Sequence, residues 1–513
     1  MFYVSFVPLW EGFDEWSHYA VLQKVATGGR ALASPNEPFS REVQASLDLA
    51  PAPWLATGLK HDAYWRLPGE ERKDRERKLR LLPAEWAREP AEHGDRVYEA
   101  QQAPLYYWLM APAYGVARKL PLPERLWLLR LLSLLAASIV IPISFLVARR
   151  VFGDSRRALG VAALIAAFPQ LMMTVCHIGN DSLAVGLGGI VLLALLLWKE
   201  QPGSMPRAVG LGTALGLALL TKAYFLVLVP PLLVLAAIQV RRERVHREAL
   251  AIVGIAAVLS GWWYGRNIVL THTLSGEQID AAVQRLDGLN MLRSVRTMNW
   301  LRAADFTFLS HIWLGNWSFL VLRSWMYHFF AIVAALAALG LIVRLLRRPS
   351  TDLWLLSGIY VSFLIALGYH ALRTFQIEGF PGALGHYLFA IVIVEVILAV
   401  TGLEALAPAW SRAIAPAGIV CFAALEGFGM SFYSIPYYTG FIAHLPNGGL
   451  PALQLGQLQN GGLMLMITRL TVNKPAFLCP ELMAALWALF LAATMGLVAT
   501  SVRFGWPRSQ SQA

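Results

Sequence analysis

The sequence predicts an all-α polytopic membrane protein with about 11 to 12 transmembrane helices and long loops on one side of the membrane. Three observations carry this: composition, a ladder of apolar runs, and the way basic residues alternate between the connections. Of 513 residues, 57% are hydrophobic and 15% charged, with mean hydropathy +0.52. A soluble protein carries about 25% charged residues. A disordered chain, a disulfide-rich module and an ordinary cytosolic enzyme are therefore excluded. Cys176, Cys421 and Cys479 are too few and too far apart for a disulfide framework or a zinc site. Lys and Arg give a net charge of +11. They sit in short loops, so they orient the chain and meet anionic lipid headgroups, and no nucleic acid is expected.

The elements follow in order. Residues 1–10 open with Met1-Phe2-Tyr3-Val4-Ser5-Phe6-Val7-Pro8, apolar but far short of the roughly 20 residues of a span. They read as the end of a first helix whose earlier part would lie upstream of the assigned start. A long outer loop, 11–122, comes next. Apolar runs long enough to span occur near 124–148, 157–175, 182–198, 249–270, 319–343, 352–370, 386–406, 413–430 and 482–502. Helices are the expected form, because backbone groups in hydrocarbon must be paired within their own segment. Two shorter runs, 208–220 and 224–239, flank Thr221-Lys222 and predict a tight helical hairpin. The core is thus 123–430, followed by an outer loop at 431–481 and, in 482–513, a last helix with a short cytoplasmic tail.

Charge sets the sidedness. Arg149, Arg150, Arg156 and Arg157 share one connection, and Lys199 and Arg207 share the next but one. Arg241, Arg242, Arg244 and Arg247 follow, then Arg344, Arg347 and Arg348, then Arg412, then Arg503 and Arg508. These short basic connections face the cytoplasm. The long connections 271–318, 371–385 and 431–481, together with 11–122, fall on the opposite side. Within 68–78 both signs alternate at helical spacing, which predicts a solvated helix lying over the membrane.

Six polar constellations fall at outer span ends or in outer loops. Asp14-Glu15 follows the first apolar segment, with His18 one helical turn beyond Asp14. A carboxylate at that depth is costly and needs a partner or a task, either as a general base or in holding a metal. A first helical turn that favours acidic residues is the plainer alternative. Next is Glu99-Ala100-Gln101-Gln102-Ala103-Pro104-Leu105-Tyr106-Tyr107, whose tyrosines would otherwise be interface-belt residues. Asn180-Asp181 could act in a site or cap the following helix. Lys222 could meet a phosphate or anchor the hairpin by snorkelling. Trp263-Tyr264-Gly265-Arg266-Asn267 ends a span, and Gly385-His386-Tyr387-Leu388 opens one. Arg373, Arg293, Arg296 and Arg302 are further outer cations. Acids, a lysine, an arginine and histidines at one membrane face suit a lipid-linked phosphate.

The order of these motifs resembles the GT-C superfamily of polytopic glycosyltransferases. The likeness is nearest to its bacterial branch related to protein O-mannosyltransferases and the aminoarabinose transferase of lipid A. The Asp-Glu pair with a following His is matched by Asp14, Glu15 and His18. A His-Pro-Pro-x-Tyr-Tyr motif is matched by Gln102-Ala103-Pro104-Leu105-Tyr106-Tyr107, with Gln102 in place of the histidine and Ala103 in place of the first proline. Asn180-Asp181, Leu220-Thr221-Lys222 and Trp263-Tyr264-Gly265-Arg266-Asn267 match as they stand. A late Gly-Arg-Tyr-Leu is Gly385-His386-Tyr387-Leu388 here.

The resemblance implies a GT-C-like fold in the plasma membrane. It implies an inverting transfer of a sugar from a polyprenyl-phosphate donor to a glycan, lipid or protein acceptor of the cell envelope, at the extracytoplasmic face. It makes Asp14 and Glu15 the catalytic candidates. Substrate binding would fall to His18, Glu99, Gln102, Tyr106, Tyr107, Asn180, Asp181, Lys222, Arg266, His386 and Tyr387. The family's uneven use of metals leaves a divalent cation, Mg or Mn, as an open cofactor. Two alternatives stay open: a transporter or flippase of a lipid-linked substrate, which should show inverted repeats, and a non-catalytic relative in envelope assembly.

Overall fold

The computed structural model describes residues 1–276 and 288–505. Arg508, the tail beyond Gly505 and part of the 271–318 loop lie outside the described residues. Nearly everything described is helical or loop. Among the described residues nine helices are long and apolar enough to cross a membrane, ten if a bent pair counts as one span. The shorter Met205–Leu219 helix and the N-terminal turn Phe2–Phe6 complete the set.

The central helices are Asn180–Glu200 and Gly385–Leu406, each buried over 72% of its most apolar stretch. The outermost is Pro480–Arg503, buried over 6%. Most of its apolar surface is left to lipid, while one face packs on the bundle, with Met483 buried and Phe490 against Phe2 and Tyr3. Where helices cross most closely, glycine makes the approach possible. A Cβ on Gly340 would stand 1.9 Å from the Gly402 carbonyl, and one on Gly402 1.9 Å from the Ala337 carbonyl. Backbone contact of this kind replaces the hydrophobic drive that lipid cannot supply.

Several boundaries differ from the sequence reading, each for a local reason. The run at 124–148 becomes Leu122–Phe152, broken at Ile139. Pro142 has no amide to give the Ser138 carbonyl four residues back. The run at 157–175 splits into Ser155–Ala166 and Pro169–Val175, bent by 59° just ahead of Pro169. The span expected from 319 starts at Ser324. Residues 313–323 fold back on themselves instead, with the Leu320 amide donating to Leu314 O at 2.7 Å and the Tyr327 hydroxyl to Trp313 O at 2.8 Å. The span expected from 386 begins as a 3₁₀ segment, Gly385–Ile391, before the α-helix Val392–Leu406. The helix expected to stop at 430 continues through a π-turn, Met430–Ser434, to Tyr438. That turn widens the helix just before Pro436, which would otherwise crowd the carbonyl of Phe432.

The first outer loop is mostly helical. Gly69–Arg80 forms as the charge pattern predicts, with Lys73–Glu70 at 3.0 Å and Arg75–Glu71 at 3.5 Å. The helix Glu15–Thr27 packs on Leu105–Ala117 and is tied to the first long span through Glu42. Gln23 donates to Glu42 at 2.6 Å, and Glu42 is paired with Arg125 of that span at 2.5 Å.

Replacing Gly402 by Val should force the Ser324–Arg347 helix off its partner. We expect a thermal unfolding temperature several degrees lower in detergent and a loss of monodisperse protein. Gly254→Val is the control, since a Cβ there meets nothing within 4 Å. Equal stability of the two variants would disprove the close-approach account.

Candidate active site

The helix ends that the loop charges place outside converge on one cluster. Three donors build its floor by capping the last carbonyls of Met205–Leu219. The Tyr264 hydroxyl donates to Leu219 O at 2.8 Å, the Leu105 amide to Leu220 O at 3.0 Å, and the Asn180 side-chain amide to Thr221 O at 3.2 Å. The hairpin tip is thereby fixed and Lys222 is presented inward. Its ammonium donates to Asp181 Oδ2 at 2.6 Å, and both residues are buried. Asp181 lies in the first turn of Asn180–Glu200, where backbone amides favour negative charge. The Tyr224 hydroxyl donates to its other oxygen at 3.3 Å. Asn180 and Asp181 therefore bridge to neighbouring segments; neither is the N-cap, which is Gly179.

His386 comes from the 3₁₀ segment, with Nε2 3.9 Å from Asp181 Oδ2. The segment is pinned by Ser310, which accepts from the Gly385 amide at 2.8 Å, and by His311, whose Nδ1 is 2.9 Å from Gly385 O. Tyr387 lies beside it, and the Lys222 ammonium sits 5.5 Å from the ring centres of both Tyr387 and Tyr224, an attractive cation–π distance.

The acidic side of the cluster comes from the first outer loop. Asp14 has a left-handed backbone, φ 52°, at the start of Glu15–Thr27. Aspartate tolerates this conformation better than most residues, and strain of this kind gathers at functional sites. The loop packs so tightly that a Cβ on Gly12 would fall 2.4 Å from the His177 ring. Phe13 stacks on His386 at 4.9 Å, which brings the Asp14 segment to the Asp181 segment. The Tyr98 hydroxyl donates to Asp14. His18 Nδ1 is 2.8 Å from the Tyr107 hydroxyl, and its Nε2 is 3.8 Å from Glu99 Oε2. The Asn180 amide reaches Gln102 at 3.4 Å.

Desolvation shapes the charges here. It lifts the Asp14 carboxyl above its ordinary value, against the Tyr98 hydrogen bond and the charge of Lys222. Burial, with the nearby charge of Asp14, pushes Glu99 up to about 8, so Glu99 is mostly neutral at pH 7. Burial, with Lys222, pushes His18 down to about 3. His18 is neutral, and its contact with Glu99 is not an ion pair.

Asp14, His18, Glu99, Gln102, Tyr107, Asn180, Asp181, Lys222, His386 and Tyr387 thus form one connected group. Three expected residues stand apart from it. Glu15 turns away from Asp14 and takes a bidentate pair with Arg130, Nε to Oε1 at 2.7 Å and Nη2 to Oε2 at 2.6 Å. The Ile178 amide donates to the same carboxylate at 3.0 Å. Burial alone would raise the Glu15 pKa, but Arg130 outweighs it and holds the carboxyl below the usual range. Tyr106 is fully buried and holds the Gly179 amide at 3.1 Å and Ser133 at 2.7 Å. Arg266 is half-buried over the Trp263 ring at 4.9 Å. Among the outer arginines, Arg293, Arg296 and Arg302 are exposed, and Arg373 bonds Gln376 at 3.1 Å.

Sequence reasoning passed over Tyr98, Tyr224, Phe13, His177 and Arg130. Arg130 had a usable signal, since an arginine inside an apolar run must have a partner. Among the described residues no three His, Cys, Asp or Glu side chains converge as a metal-ligating set.

A narrow apolar groove lies deeper in the bundle. It is lined by Gly188 and Leu192 of the helix that carries Asp181, by Leu228 and Leu232 after Lys222, and by Ala390 and Val394 after His386. Gly188 is two turns, ~10 Å, below Asp181.

Fold and site together define a polytopic membrane protein with a buried acid–lysine cluster at one end of its helical bundle, set over an apolar groove. The chain belongs to the family described as "Predicted membrane protein (DUF2142)", whose model matches residues 1–394. It is also similar to an undecaprenyl phosphate-alpha-4-amino-4-deoxy-L-arabinose arabinosyl transferase of Pseudomonas aeruginosa (strain UCBPP-PA14), 27% identical over 210 residues, or 40% of this chain. That match spans only 37% of the relative's length. Among solved structures, ArnT from Cupriavidus metallidurans bound to undecaprenyl phosphate is similar with a TM-score of 0.49 and 15% identity, over 98% of this chain and 75% of that one. An Archaeoglobus fulgidus oligosaccharyltransferase complexed with Zn and sulfate is similar with a TM-score of 0.42 and 15% identity, over 83% and 50% of the two chains.

Both members of the Arg130–Glu15 pair are buried, and removing one partner of such a pair costs about 3–5 kcal/mol. Arg130→Met should therefore lower the unfolding temperature sharply. The Glu15 pKa is depressed in the folded state, so this stability is present above the ordinary carboxylate value of 4.5 and lost as pH falls below it. Unfolding of Arg130→Met followed from pH 7 down to well below 4.5 should lack that acid-dependent loss; an unchanged profile would refute the assignment.

Proposed function

We propose that the protein is a membrane glycosyltransferase that moves a sugar from a polyprenyl-phosphate donor to a cell-envelope acceptor at the extracytoplasmic face, with inversion. The observation that carries this is the meeting of Asp14 with the Lys222–Asp181 pair over an apolar groove. An isoprenoid tail suits the groove, and its phosphate suits the lysine above it. The partial likeness to an undecaprenyl-phosphate aminoarabinose transferase supports the same donor class.

In this reading the Asp14 carboxylate takes the proton of an acceptor hydroxyl. The freed oxygen attacks the anomeric carbon from the side opposite the phosphate. The bond from that carbon to the phosphate oxygen breaks, and polyprenyl phosphate leaves with the electron pair. Lys222 stabilises the charge that develops there, in a site dry enough for one ammonium to matter. Asp181 holds the Lys222 ammonium oriented before the donor arrives. Tyr98 fixes the Asp14 carboxylate. Neutral Glu99 leaves a single negative charge on the acidic side, so the leaving phosphate is not repelled twice. Glu15 acts as a positioning residue through Arg130, holding the segment that carries Asp14. Arg266 has no contact with the Lys222 group, so Lys222 is assigned the phosphate.

Removing a general base lowers the rate by about 10²–10⁴-fold. Asp14→Asn should show that loss in single-turnover transfer from a labelled polyprenyl-phosphate sugar, while donor-lipid binding persists. Lys222→Met should lose donor binding itself. Full transfer by Asp14→Asn, or movement of donor across the bilayer without a new glycosidic bond, would overturn the reading.

The pH profile gives a separate check. Transfer should fall in acid as Asp14 takes up its proton, at a pH above the ordinary carboxylate range. It should fall again near pH 8 as Glu99 ionises. Glu99→Gln should remove the alkaline fall and leave the acid fall in place.

A further inference from the structure

A second, small cavity lies on the other side of the segment that leads into Asp14. It is enclosed by the first outer loop, the N-terminal turn and residues 469–474, part of the last outer loop, which matched no motif in the sequence. Phe6, His61, Trp65, Tyr438, Arg469 and Lys474 line it.

Its polar groups are in deficit of one kind of partner. Lys474 is 4% exposed, and its ammonium bonds only the Val7 carbonyl. No carboxylate lies within ion-pair distance of it among the described residues. A buried ammonium without an anion is costly, and desolvation with the nearby Arg130 pushes the Lys474 pKa well down. Arg469 is half-buried over Trp65, 4.7 Å from its ring centre, with one hydrogen bond to Thr439 O at 2.8 Å. His61 Nδ1 and the Tyr438 hydroxyl are buried and unpartnered. The other ring nitrogen of His61 is 3.2 Å from Glu11 Oε1, which also accepts from Ser318, while Glu11 Oε2 is buried without a partner. The lining thus holds one arginine, one lysine and no acid.

We propose that this cavity is a second binding site, separate from the Lys222 cluster, for an oxyanion of the phosphate or carboxylate class. Lys474 and Arg469 would supply the charge, Tyr438 a hydroxyl donor, and Trp65 a flat apolar wall. The site does not depend on the transferase reading. It is linked to the cluster by one shared atom, because the Val7 carbonyl that receives Lys474 also receives Arg130 Nη1 at 2.7 Å, and Arg130 holds Glu15.

The test uses the full chain in neutral detergent, carrying Lys222→Met so that anions at the first cluster do not contribute. Thermal unfolding is followed against inorganic phosphate and, separately, against short-chain phosphatidylglycerol, with phosphatidylcholine of the same chains as control. We expect saturable stabilisation by phosphate or phosphatidylglycerol but not by phosphatidylcholine. Arg469→Gln should weaken it by about tenfold, the loss of one charge-assisted contact, and Lys474→Met should remove it. A response to phosphate identifies a soluble oxyanion; a response to phosphatidylglycerol alone identifies a lipid headgroup. No stabilisation by either probe, or the same midpoint concentration in Arg469→Gln, overturns the proposal. Arg469 is only half-buried, so its variant keeps the test decisive if Lys474→Met fails to fold.

Discussion

The bidentate pair of Arg130 with Glu15 is the joint on which the site depends. Arg130 also binds the carbonyls of Val7 and Pro8, at 2.7 Å and 2.6 Å, and Glu15 accepts from the Ile178 amide. One arginine thereby ties the N-terminal segment, the first long span and the turn before Asn180–Glu200. Asp14 is displayed at one end of this joint and Asp181 beyond the other. A buried pair is weak evidence for stability in general. Here its five hydrogen bonds fix the relative position of segments more than 100 residues apart, which packing against lipid could not do.

Around that joint the protein sorts similar groups into different states. Two carboxylates, Asp14 and Glu99, stand close together, and desolvation raises both. Lys222 favours the charge on both; the Tyr98 hydrogen bond favours it further on Asp14, while the charge of Asp14 pushes Glu99 up, and Glu99 stays mostly neutral. Divergent environments of neighbouring acids are how one site separates a base from a bystander. His18, expected as a substrate-binding residue, is held neutral by the same desolvation and bonds the Tyr107 hydroxyl.

The helical architecture was legible because composition and run length speak directly to lipid. The hairpin at Thr221-Lys222 and the charged helix over 69–80 were also readable. Span boundaries were less so, since proline effects at Pro142, Pro169 and Pro436 depend on whether neighbours take up the freed carbonyls. Of the site, the acids, Lys222, Asn180 and His386 were found by their position at span ends. Tyr98, Tyr224 and Phe13 were not, because an aromatic near an interface looks the same whether it braces a carboxylate or meets a headgroup.

The sequence by itself determined that the chain spans a membrane in helices, and which polar groups are costly enough to need a reason. Both follow from local free energies of transfer, which a single segment carries within it. Only the tertiary structure decided which cost is met by which partner. Glu15 and Asp14 are adjacent, yet one is spent on Arg130 and the other faces Lys222; Lys474 enters a cavity without an acid. Partner choice is a matter of distances between remote segments, and those distances are set by how the helices pack.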